Sequence, residues 1–156
     1  MSYIRAVYLD LTLCCEDFIK GTELLEQCLH NDAIISFERA YKSAPDSYSL
    51  FTKYCSYYGF SCLLCGKRDA ISLCRSTAKA YPYDGDICMN LARAEIFLEN
   101  RSKALDIIDT GLQLSREHTG LQKLRAQLGV RKRKLLPFLS RNNTLSHAVG
   151  KLLRKS

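Results

Sequence analysis

The chain has few of the features that would place it in a membrane, outside the cell or among enzymes. No apolar stretch approaches the roughly 20 residues of a membrane span, and Asp10 interrupts the early apolar residues where a signal peptide would run on. These absences predict a cytoplasmic protein. Proline is scarce, three in 156 residues, and two of them, Pro45 and Pro82, stand where helices should end. No Gly-rich phosphate loop occurs; Gly59, Gly66 and Gly85 read as turn or packing glycines. His30, His118 and His147 are scattered, with no nucleophile beside any of them at a recognisable spacing. The expectation is a chain that is not an enzyme and has no cofactor. Cys62-Leu-Leu-Cys65 has the spacing of a metal or redox pair, but no second CxxC accompanies it, so no metal site is expected.

Acidic residues are absent after Glu117. The net charge of +7 therefore divides unevenly: residues 1–117 are net −3, whereas residues 118–156 carry 10 basic side chains and no acidic one. The basic character belongs to the tail and not to the body.

What is present is globular: 47% hydrophobic and 25% charged residues, enough for one domain with a core. Eight cysteines (Cys14, Cys15, Cys28, Cys55, Cys62, Cys65, Cys74 and Cys88) sit among apolar positions and read as small, reduced core residues. Ala33, Ile34, Phe37, Ala40 and Tyr41 recur at the spacing of one helical stripe. Asp46 is placed to cap a helix after Pro45, and Asp86 and Glu95 look exposed on a helix of their own.

An internal repeat organises these pieces. From Cys14, small residues fall at the eighth, twentieth and twenty-seventh positions (Gly21, Ala33, Ala40), a bulky apolar at the twenty-fourth (Phe37) and proline at the thirty-second (Pro45). This resembles the tetratricopeptide repeat (TPR), whose 34-residue unit is a pair of antiparallel helices. A second unit from Tyr48 has Phe51 at an aromatic position, Tyr54, Cys55 and Tyr58 on the core and close-packing positions of its first helix, Ala70 at the small and Cys74 at the bulky position of its second, and ends at Pro82. Pro45 and Pro82 are 37 residues apart, which predicts about three inserted residues near Phe60–Gly66, at the turn between the helices. A third unit from Gly85 has Ala92, Ala104, Ile108 and Gly111 in place, with Arg116 where proline would be. Small residues let paired helices approach closely, and stacking buries faces that one unit cannot bury alone.

The resemblance implies an all-α fold: a right-handed superhelix of antiparallel helix pairs, with repeats at about 14–47, 48–84 and 85–118. Residues 3–13 should begin or extend the first helix. Leu121, Leu124 and Leu128, with Leu135 just beyond, space a capping helix over 119–134, closing a TPR domain of residues 1–134. Residues 135–156 form an appended tail, extended around Pro137 and then an amphipathic helix with Leu145, Ala148, Val149, Leu152 and Leu153 on one face.

In TPR proteins the first helices line a concave groove that holds a partner peptide. Matching positions here are Thr22, Thr52, Lys53, Ser56, Met89, Asn90, Arg93 and Phe97. The chaperone-tail clamp of one subgroup is not reproduced, because Asp86 would repel a carboxylate. The expected function is a non-catalytic scaffold holding a peptide or helix of another protein. A second reading is a peripheral anionic-membrane or nucleic-acid binder acting through Arg131, Lys132, Arg133, Lys134, Lys151, Arg154 and Lys155. A third is a homo-oligomer built through the C-terminal helix.

Overall fold

The computed structural model describes residues 15–44 and 50–129. Among these, seven α-helices and one 3₁₀ turn occur and no strand: α1 (Glu16–Glu26), α2 (His30–Ser43), α3 (Phe51–Leu64), the 3₁₀ turn Arg68–Ala70, α4 (Ile71–Ala80), α5 (Gly85–Phe97), α6 (Arg101–Leu114) and α7 (Thr119–Leu128). The fold is all-α, as expected. Each helix packs on the next, and α3, α5 and α7 also pack side by side. The expectations for residues 3–13, Pro45, Asp46, Pro137, the basic run 131–134 and the tail lie outside the described residues.

Three links repeat one backbone device. Cys28, Gly66 and Glu99 each follow a first helix with φ of +61°, +90° and +62°. The next N–H in each case bonds back five residues: Leu29 to Leu24 O at 2.9 Å, Lys67 to Cys62 O at 3.0 Å and Asn100 to Glu95 O at 2.8 Å. This left-handed closure satisfies carbonyls that a helix end leaves orphaned and reverses the chain. Only Gly66 has the residue type that adopts the conformation freely.

Counting from these residues corrects the register of the second unit. Gly21, Gly59 and Ala92 each stand seven before the left-handed residue, so Gly59 and not Cys55 holds the close-packing position. A Cβ on Gly59 would lie 3.2 Å from Cys74 Sγ, and one on Gly21 would lie 2.6 Å from the Phe37 ring. The extra residues are not at the α3–α4 turn: residues 65–67 match 27–29 and 98–100 in length. They lie upstream, where α2 and α3 are joined by residues 44–50, against 81–84 and 115–118 in the other two connections. Ala70 falls in the 3₁₀ turn and is half-buried, while Cys74 is fully buried.

An aromatic cluster joins the first unit to the second. Phe18 stacks on Tyr54 with ring centroids 4.5 Å apart and meets Tyr57 edge-on at 5.0 Å. The Tyr54 hydroxyl accepts from the Cys15 N–H at 3.0 Å. Later units are joined by apolar layers with fewer rings: Phe60, Leu63, Ile87 and Leu91, then Cys88, Met89, Ile108 and Leu121. Glu95, read from sequence as exposed, is 1% exposed. It accepts from Arg75 of α4 at 2.7 Å and from Asn100 at 2.8 Å, tying α4 to the start of α6. Amphipathic spacing could not show this, because α5 is covered on nearly all sides and only Arg93 and Phe97 are left exposed to mark a solvent face.

Candidate interaction surface

The N-terminal ends of α3, α5 and α7 carry a connected polar network. Asp84 N-caps α5, accepting from the Asp86 and Ile87 N–H groups at 3.0 and 3.2 Å. Lys53, in the first turn of α3, reaches Asp84 at 3.2 Å and Asp86 at 2.9 Å. The second oxygen of Asp86 lies 3.1 Å from His118 Nε2. His118 N-caps α7: its Nδ1 accepts from the Leu121 N–H at 3.1 Å. A nitrogen that accepts carries no proton, so the neutral ring bears its hydrogen on Nε2 and donates it to Asp86.

The carboxyl of Asp86 is pulled two ways. Burial acts to raise its pKa, but the hydrogen bond from His118 and the charge and hydrogen bond of Lys53 together lower it below the ordinary value. For Lys53, burial acts downward, and the attraction of Asp86 and Asp84 outweighs it and raises the pKa. Both ring nitrogens of His118 are committed. The network can therefore hold helices in register.

This arrangement corrects two expectations. Asp86, expected on an exposed helix, is 6% exposed, and Lys53, expected as a groove cation, is 9% exposed and ion-paired. Ser56, Met89 and Asn90 are also buried, with Asn90 Nδ2 donating to Ser56 Oγ at 3.4 Å in the seam between α3 and α5. The amide oxygen of Asn90 has no hydrogen-bond partner there. Counted from Gly66, Lys53 and Ser56 take the places that Asp86 and Met89 hold in the third unit, where helices meet their neighbours. Thr22 and Thr52 are half-buried, and Thr22 Oγ1 donates to Ile19 O at 2.7 Å.

Arg93 and Phe97 remain open to solvent. They lie one turn apart on α5, whose other residues are buried except for half-buried Ile96, and Phe97 is 46% exposed. Two residues before each left-handed link stand Glu26, Leu64 and Phe97, so Leu64 and Phe97 mark the same register on neighbouring α3 and α5. At this end of the molecule an open cleft of about 610 Å³ lies between the α1–α2 link and the end of α3, lined by Cys28, Leu29, Leu64 and Cys65 among others. The Cys65 thiol donates to Asn31 Oδ1 at 3.2 Å across it. Sequence reasoning missed the cleft. Its signal was the recurrence of the link itself, which is a backbone feature with different residues at each occurrence.

The described cysteines are free thiols. Burial pushes Cys74 up to about 12 and Cys88 up to about 11, and raises Cys62 as well. Cys28 differs from the expectation for a core cysteine, since it is exposed at the rim of the cleft. Among the described residues no helix is long and apolar enough to cross a membrane. Arg131, Lys132, Arg133, Lys134, Lys151, Arg154 and Lys155 lie outside the described residues.

No family model matches the chain. No curated protein matches it either. Among solved structures, a protein from Bacteroides ovatus ATCC 8483 named as a candidate protein-binding protein is similar over 90% of this chain and 81% of that one, at 14% identity and a TM-score of 0.42. That likeness is too distant to carry a function across.

Proposed function

We propose that the chain is a non-catalytic scaffold of the tetratricopeptide type that binds a segment of another protein on the exposed ends of its first helices. The carrying observation is the exposure of Arg93 and Phe97 on α5. This helix is packed by α3, α4, α6 and α7, and ten of its 13 residues are buried. A large aromatic left open beside an arginine on a helix otherwise so enclosed has the composition of a binding hot spot. The repeat assignment is supported by three identical left-handed closures, by Gly21, Gly59 and Ala92 at one register, and by the side-by-side packing of α3, α5 and α7.

The partner segment on this reading is apolar with some acidic character, complementing Phe97, Leu64 and Arg93. Arg93→Ala and Phe97→Ala should each reduce capture of a protein retained by the wild-type chain, without changing the melting temperature. Lys53 does not belong to that test, because its removal breaks a buried ion pair. Equal capture by wild type and the Arg93→Ala/Phe97→Ala double variant would remove this surface from consideration.

A further inference from the structure

His118 stands where two demands on one ring meet. It is 8% exposed, and its two nitrogens do opposite jobs: Nε2–H donates to Asp86, and bare Nδ1 accepts from the Leu121 N–H. Backbone packs close against the ring. A Cβ on Gly85 would fall 2.3 Å from its Cδ2, and one on Gly120 would fall 3.1 Å from its Cε1. Glycine at both places lets α5 and α7 close on the imidazole from two sides.

We propose that His118 is a proton-operated catch on α7: uptake of a second proton at Nδ1 removes the cap and loosens α7 from α5 and α6. The proton comes from solvent, and no bond between heavy atoms changes. Protonated Nδ1 becomes a donor facing the donor N–H of Leu121, so the hydrogen bond is replaced by repulsion. The new charge also sits at the positive end of the α7 dipole, where cations are disfavoured.

The ionisable groups around the ring are Asp86, which attracts the cation, and Lys53 beyond it, which repels it. Asp84 balances Lys53 from the start of α5, and the Cys88 thiol of the same helix donates to Pro82 O. From α6, the residues packed around Leu121 and Cys88 include uncharged Gly111 and Ile108. Arg116 and Glu117, just before His118, are exposed. The Asp86–imidazolium pair gains strength on protonation, but it holds the ring to α5 and does nothing for the first turn of α7. The helix that loosens covers Cys88, Met89 and Ile108 through Leu121, so the consequence is an uncovered apolar end to the array.

The test is nuclear magnetic resonance on the full chain between about pH 8 and pH 5, the range in which imidazoles titrate. Ring nitrogen shifts report protonation of His118 Nδ1, and hydrogen exchange corrected for intrinsic rates reports protection of the α7 amides against those of α2. The expected result is Nδ1 bare at pH 8, protonated on acidification, and a selective loss of α7 protection of about fivefold, the size that loss of an ordinary N-cap gives. In His118→Asn, which caps without titrating, α7 protection should stay level with pH. Nδ1 that stays bare to pH 5, α7 protection that holds while Nδ1 protonates, or α2 and α7 failing together would each overturn the proposal. The wild-type measurement decides it alone if the variant does not fold.

Discussion

Lys53 Nζ lies 2.9 Å from Asp86 Oδ2, joining α3 to α5 across 33 positions of sequence with both side chains buried. A pair of this kind is costly to break from one side, because the partner remains as an uncompensated charge. Lys53→Met should therefore lower the unfolding free energy by about 3 kcal/mol, read from urea denaturation at neutral pH. Arg93→Ala, on the exposed face, should change it by less than about 0.5 kcal/mol.

The same pair sets a pH window. Asp86 titrates below its ordinary 3.8 in the folded chain, so its contribution is complete above that value and is lost as pH falls through the lower folded pKa. Lys53 titrates above its ordinary 10.5, so its contribution is complete below that value and is lost as pH rises through the higher folded pKa. Thermal melts from pH 2 to 5 should show a steep fall in midpoint for wild type. Asp86→Asn should start less stable and fall less steeply.

At the three links, backbone conformation separates from packing. Cys28 and Glu99 hold left-handed φ values that favour glycine, and Gly66 has nothing within 4 Å of where a Cβ would be. Cys28→Gly and Glu99→Gly should each stabilise the fold by about 0.5 to 1 kcal/mol, and Gly66→Ala should destabilise it by about 1 kcal/mol. Chemical denaturation of the three variants checks the sign at each site.

Thiol reactivity should sort by position. Cys28 is exposed, whereas Cys74 and Cys88 are buried with pKa values of about 12 and about 11. A thiol reagent at pH 8 should label Cys28 rapidly in the native chain and reach Cys74 and Cys88 only after denaturation. Peptide mapping of the labelled sites reads the order.

Much of the helix content was legible in the sequence because apolar spacing is local. Gly21, Ala33, Phe37 and Ala40 were readable as one unit, and the structure buries all four. The register of the second unit was not readable. Cys55 and Gly59 are both small and one turn apart, so composition cannot choose between them, and only the link at Gly66 decides. The burial of Lys53, Ser56, Met89 and Asn90 was hidden for a related reason. Whether Lys53 faces solvent or a carboxylate depends on which residue of the next unit lies opposite, and Asp86 is set there by stacking. His118 as a cap was also hidden, since its partners are a backbone N–H and a side chain 32 positions away.

The most direct test of the scaffold reading is site-specific photocrosslinking in cells that express the chain. A photoreactive phenylalanine analogue would replace Phe97, 46% exposed on α5, or Ile35, 50% exposed on α2, as a control of equal accessibility. A discrete protein adduct is expected from position 97 and none of the same kind from position 35. The same adducts from both positions, or no discrete adduct from position 97, would contradict the scaffold reading.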